Sequence, residues 1–214
     1  MRTGLRNAAC HCHHDGERVR IEGEGKPRHA GRRREVVVNQ ADLAVLVRAA
    51  SFAATRHRDQ RRKDEAASPY INHPLALADL LVNEGDVADI DIIVAALLHD
   101  TIEDTNTTAD EIEQAFGAVV RGIVEEVTDD MSLPRQMRKR IQVEHAPGLS
   151  SRARAVKLAD KICNLRDVVD SPPAGWPIDR CRDYFDWAKA VIDGLRGEHE
   201  RLEALFDDVF GRRP

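Results

Sequence analysis

A chain of 214 residues is long enough for one domain with a full-sized core. With 42% hydrophobic and 32% charged residues it reads as globular, and a net charge of −5 excludes a general nucleic-acid binder, because bulk counterion release has nothing to drive it. The longest apolar run, Ile92–Leu98, falls far short of the roughly 20 residues a membrane helix needs, so no membrane partner is expected.

The N-terminus lacks the apolar segment of a secretory signal. The cysteines, Cys10, Cys12, Cys163 and Cys181, suggest no disulfide framework, and a reducing cytoplasm is the expected compartment. Residues 1–38 are rich in Arg, Gly and His and read as a disordered extension or as upstream sequence from a generous start assignment. Within them, Cys10-His11-Cys12-His13-His14 offers soft-metal ligands, but no second cluster with zinc-finger spacing follows.

From Asn39 onward the pattern is helical, and residues 39–211 form the expected domain. Asn39 caps a helix carrying Leu43, Leu46, Val47, Ala50 and Ala54 on one side. Pro74 sits in the first turn of a helix that runs through Val82 and stops at Gly85. A third helix spans about Asp89 to His99. Thr108 and Glu111 make a capping box for a helix closing near Gly117, and another follows from Ala118 to about Thr128. Asp129 to Pro134 reads as a loop. Helices over Arg135–Glu144, Ser151–Val169 and Asp179–Phe210 complete the set, the last broken near Gly194 or Gly197 if at all, with Pro172-Pro173-Ala174-Gly175 a clear interruption. No stretch alternates with period two, so the fold class is all-α.

Against this frame the segment LLHDTIEDT, Leu97–Thr105, carries the strongest chemical signal. His99 and Asp100 stand side by side, and one turn later come Glu103 and Asp104. With His73, just before Pro74, and Asp160, in AVKLADKICNLRD, they form a set of two imidazoles and two carboxylates able to close round one divalent ion. Nitrogen and oxygen donors without thiolate suit Mn²⁺, Fe²⁺ or Zn²⁺. Glu103 and Asp104 would handle the protons of a water held there. If the helix continued past His99, the two acidic pairs would stack on one face; if it ended there, Glu103 and Asp104 would lie on a loop over the ion. The plainer alternatives are a turn-lining His73 and an Asp160 in a surface ion pair with Lys157 or Lys161.

The blocks HRDQRRKDEAASPYINHP, LLHDTIEDT and KLADKICNLRD resemble those of the HD-domain hydrolases of the RelA/SpoT type, and within them the small alarmone hydrolases of the metazoan SpoT homolog group. The resemblance runs from about Ala41 to Phe210 and takes in VEEVTDD and DYFDWA. It implies a helical HD fold with one Mn²⁺ held by His73, His99, Asp100 and Asp160, and a catalytic pair Glu103 and Asp104. It further implies that Arg62 and Lys63 sit against a nucleobase, that Asn164 holds the nucleoside, and that Arg180 and Tyr184 contact phosphates and ribose. Arg135 and the Arg138-Lys139-Arg140 run offer further cations. His57 also recurs in the first block, its role open between structure and catalysis, while Tyr70 is expected to pack near the site without reacting. Cys163 and Met131 depart from the family's usual residues and are expected to reshape only the pocket rim.

The expected reaction is hydrolysis of the 3′-pyrophosphate of guanosine 3′,5′-bis(diphosphate), ppGpp, and of pppGpp, to GDP or GTP and pyrophosphate, without an added synthetase domain. The alternatives are removal of the 2′-phosphate of NADPH and a non-catalytic nucleotide-binding module. The partners are small nucleotides, and a homo-oligomer stays compatible with the sequence.

Overall fold

The computed structural model describes residues 39–214. The expectations for residues 1–38, the Cys10–His14 cluster included, lie outside the described residues. Those described fold as an all-α assembly, with one isolated antiparallel bridge between Arg61 and Pro69.

Helix α1 (Gln40–Arg56) starts where expected, the Asn39 side chain accepting from Asp42 N at 2.9 Å. Its buried face differs from the expected stripe. Ala49 and Ala53 are fully buried, Leu46 and Ala50 half-buried, while Leu43, Val47 and Ala54 stay exposed. α1 packs on α3 (Ile90–Leu98), and alanines at that contact let the two helices approach closely, leaving the larger residues on the flank. In α3 every residue from Ile92 to Leu98 is buried, as befits a helix apolar all round.

Helix α2 (Asn72–Asp79) carries Pro74 in its first turn and continues as a π-turn, Leu80–Glu84, closed by Gly85 N bonding Leu80 O at 2.7 Å. Gly85 is required by a close approach: a Cβ there would stand 2.6 Å from Leu202 Cδ2. After α3 come the single turn α4 (Thr101–Asp104), then α5 (Ala109–Phe116) with the expected Thr108–Glu111 capping box, and α6 (Ala118–Val127). Gly117 joins α5 to α6 at φ +92, a left-handed conformation that favours glycine. Helix α7 (Arg135–His145) ends in a 3₁₀ turn, Ala146–Gly148.

The second core element is α8 (Ser151–Asp170), capped by Ser150, in which every residue from Ala155 to Cys163 is buried. It packs against α2, α3, α6, α9 (Ile178–Asp193) and α10 (Glu200–Phe210). The last two arise from the Asp179–Phe210 segment, which breaks between Asp193 and Glu200, the stretch holding Gly194 and Gly197 where a break was allowed for. Fully buried Leu77, Leu81, Leu98 and Leu158 each contribute about 1.5–3 kcal/mol of burial. Among the described residues no helix is long and apolar enough to cross a membrane.

Candidate metal centre and active-site cleft

Three elements bring the expected ligands together. His73 opens α2, its N–H bonded to Tyr70 O at 3.0 Å. His99 and Asp100 occupy the break between α3 and α4. There the backbone of Asp100 turns to φ −97 and ψ −1, and the Thr101 hydroxyl donates to Leu98 O at 2.7 Å. Glu103 and Asp104 therefore lie on a separate turn. Asp160 comes from the buried middle of α8.

His73 Nε2 lies 3.3 Å from Asp160 Oδ1 and 4.0 Å from Asp100 Oδ2, and His99 Nε2 lies 2.8 Å from Asp100 Oδ2 and 3.9 Å from Asp160 Oδ1. Donors sharing an ion at bonds of about 2.1 Å stand about 3–4 Å apart, so these are co-ligand spacings. The His99 tautomer fits too: Nδ1 donates to Ala96 O at 2.8 Å, which leaves Nε2 for an ion. That Nε2 is buried and makes no hydrogen bond, although Asp100 Oδ2 lies 2.8 Å away. Two imidazole nitrogens and one Asp160 oxygen lie within 4.8 Å of one another and fit a divalent metal, with Asp100 Oδ2 beside His99 as the further candidate donor.

The charges are mutually supported. Burial would raise both Asp100 and Asp160. The imidazoles offset this for Asp100, and Lys161 with the imidazoles for Asp160, so both stay below the usual carboxylate range. Burial lowers His73; for His99 the charges of Asp100 and Asp160 override burial and lift it to about 9. Tyr70 donates to Asp100 Oδ2 at 2.5 Å.

Glu103 accepts from Asp129 N at 3.2 Å and lies 3.8 Å from Arg138 Nη1. Burial, together with the charges of Asp100 and Asp129, pushes its carboxyl up to about 7. Asp104 is raised by burial and by Asp100. One acid is thus poised near neutrality beside the ligands, with a second next to it.

These groups line an inner chamber of about 180 Å³. It adjoins a cleft of about 750 Å³, with which it shares Arg62, Tyr70, His73, Asp104 and Asn164. Of the expected substrate residues, Arg62, Lys63, Arg135, Asn164 and Tyr184 line this cleft. Arg62 pairs with Asp167 and lies 5.8 Å from the Tyr70 ring. Tyr184 sits between Trp176 and Trp187, and burial raises its hydroxyl to about 12. Arg180 does not line the cleft itself; its guanidinium lies 4.2 Å over Trp176, which does.

The sequence model of a family described as HD domain matches residues 49–180. This chain belongs to the HD-domain family. The HD chain is 54% identical over 170 residues to the guanosine-3′,5′-bis(diphosphate) 3′-pyrophosphohydrolase MESH1 of Xenopus tropicalis, covering 79% of this chain and 95% of that protein. It is 52% identical over 173 residues to the Homo sapiens protein of the same name, covering 81% and 97%. A solved structure described as a metazoan ortholog of SpoT that hydrolyzes ppGpp and plays a role in starvation responses matches it with a TM-score of 0.77 at 45% identity, over 79% of this chain and 96% of that one.

Three residues named in the sequence take roles in the HD site that the sequence left open. Lys161 does pair with Asp160, at 2.9 Å, but the pair is buried rather than on the surface. Lys157 is buried as well, donating to Val127 O at 2.8 Å. Their spacing of four on a helix of apolar neighbours was the available signal. His57 is buried against Tyr70, its Nδ1 2.6 Å from Gln60 Oε1, and so braces the cleft wall. Neither Cys163 nor Met131 lines the cleft or the chamber, contrary to the expected effect on the rim.

Proposed function

We propose that this chain hydrolyses the 3′-pyrophosphate of ppGpp and pppGpp with one Mn²⁺, in a reducing cytoplasm, using residues 39–211 as its hydrolase domain. The convergence of His73, His99, Asp100 and Asp160 beside Glu103, in a chamber opening to a nucleotide-sized cleft, carries the reading. The frog and human relatives bear this activity in their names. The donor set suits Mn²⁺, Fe²⁺ or Zn²⁺ alike, and Mn²⁺ is the ion that the family resemblance implies.

When bound, a divalent cation polarises a phosphoryl oxygen and lowers the pKa of water. Glu103, raised to about 7, accepts a proton from the attacking water. The water oxygen bonds the phosphorus next to the ribose, the bond from that phosphorus to O3′ breaks, and O3′ takes up a proton. Asp104, which lines the same chamber as Glu103, supplies it. Tyr70 fixes Asp100 and Lys161 fixes Asp160, so both carboxylates keep their orientation through the reaction. Arg62, backed by Tyr70, offers a guanidinium plane to the purine, and Lys63 stands next to it. Asn164 and Tyr184 hold the nucleoside, while Arg135 offsets phosphate charge from the cleft wall and Arg180 adds a cation from behind Trp176.

Mn²⁺-loaded protein assayed with ppGpp and with NADPH tests this. Pyrophosphate and GDP from ppGpp are the expected products. Orthophosphate from NADPH with no turnover of ppGpp would move the activity to 2′-phosphates. Binding of ppGpp without turnover of either would leave a nucleotide-binding module.

A further inference from the structure

Gln60, just past the end of α1, ties together three parts of the site wall. Its N–H donates to His57 O at 2.9 Å, and its carbonyl accepts from Tyr70 N at 3.2 Å. Its side-chain amide donates to the carbonyl of Asp104 and accepts from His57 Nδ1 at 2.6 Å. These roles are forced. A backbone carbonyl only accepts, so the Gln60 group facing Asp104 O is the NH₂, and the atom facing His57 is the oxygen. His57 therefore carries a proton on Nδ1.

The tie matters because α4 is a single turn, too short to hold itself in place. Asp104 O stands at its C-terminal end, where a carbonyl has no partner within the helix. Gln60 takes that carbonyl, and its own backbone holds Tyr70, whose hydroxyl donates to Asp100. The acid Asp104 and the candidate ligand Asp100 thus hang from one residue. His57 is its anchor. The imidazole is 1% exposed, lies 4.8 Å from the Tyr70 ring, and has its Nε2 buried with no hydrogen-bond partner among the described residues. Burying a nitrogen unpaired costs stability that a phenyl ring would not, so packing alone does not account for the imidazole and its Nδ1–H does.

This inference rests on the hydrolase reading above. There Asp104 supplies the proton that O3′ takes up, a step sensitive to misplacement by an ångström. We infer that Gln60, anchored by the Nδ1–H of His57, is a positioning residue that fixes the turn carrying Asp104.

Three variants test this. Gln60→Glu, ionised at neutral pH, keeps an oxygen for His57 and the backbone bond to Tyr70 but offers no donor to Asp104 O. It should lower kcat for ppGpp by about 10–100-fold, with Mn²⁺ affinity unchanged. His57→Asn brings an amide N–H toward the place of Nδ1 and should preserve most of kcat. His57→Phe fills the volume without a donor and should match the loss of Gln60→Glu. A packing role reverses that order, because asparagine leaves a cavity and phenylalanine does not. Wild-type kcat in Gln60→Glu, or a Phe variant faster than the Asn variant, would overturn the assignment. Amide exchange in the Thr101–Thr105 stretch needs no turnover and should quicken in Gln60→Glu and His57→Phe; exchange as slow as in wild type would also overturn it. Wild-type protein inert toward ppGpp would refute the parent reading by itself, and the exchange rates would still decide the tie.

Discussion

Lys161 Nζ donates to Asp160 Oδ2 at 2.9 Å inside the core, which leaves Asp160 Oδ1 beside the His73 imidazole at 3.3 Å. The lysine is steadied from the other side by the Trp187 ring, 4.5 Å away. Lys161 thus holds one carboxylate oxygen, while the other, which also accepts from Asn164 Nδ2 at 2.5 Å, faces the imidazoles, and this makes Lys161 a positioning residue.

Replacing it tests that division. Lys161→Met should weaken Mn²⁺ binding by about 10–100-fold, the usual scale for losing an outer partner of a metal ligand. Calorimetric titration with Mn²⁺ measures it directly. An unchanged affinity would show that Asp160 is oriented by α8 alone.

Glu103→Gln should retain the ion and reduce turnover by about 10²–10⁴-fold, because the amide keeps the shape but cannot accept the water proton. Metal content by elemental analysis and rate by pyrophosphate release separate the two effects. A variant as fast as wild type would remove Glu103 from the chemistry.

The pH dependence of metal binding follows from His99. Burial would depress it, but Asp100 and Asp160 raise it to about 9 in the metal-free protein. The folded state thus holds this proton more tightly than the unfolded chain, where the value is about 6.5. His99 contributes stability that is complete below about pH 6.5 and disappears as pH climbs through about 9. A cation must displace the same proton, so Mn²⁺ affinity should rise across that window. Titrations in buffers of different ionisation enthalpy count the protons released; a pH-independent affinity would contradict the assignment.

Gly85→Ala should lower stability by about 1–3 kcal/mol, since the new methyl meets Leu202 Cδ2 at 2.6 Å and Leu81 O at 2.9 Å. Gly85 lines neither cleft nor chamber, so turnover per folded molecule should stay at the wild-type level. Thermal unfolding and active-site titration report the two quantities.

Features with a local cause were legible from the chain. The Thr108–Glu111 capping box forms as read, with both reciprocal bonds made, because it is closed within one turn. The four candidate ligands could be picked out only from three blocks taken together, because an adjacent imidazole and carboxylate is a common pair by itself. What depended on a neighbour was not. Leu43 and Val47 have the right period for a core face, yet the partner helix α3 selects Ala49 and Ala53 for its close contact. Lys157 and Lys161 looked solvent-bound because their acceptors, Val127 O and Asp160, surround them only once α6 and α8 are assembled. The π-turn at Leu80–Glu84 likewise answers to the packing of Gly85 against α10.

The break between α3 and α4 carries two candidate ligands on one dipeptide, so a bound ion would fasten only three pieces of chain: the start of α2, this break and the middle of α8. It would work as a removable rivet through the centre of the molecule, tightening the fold in proportion to the logarithm of free cation concentration. A chelator would then loosen the scaffold as well as silence the reaction, and protease resistance would serve as a gauge of occupancy when no nucleotide is being turned over.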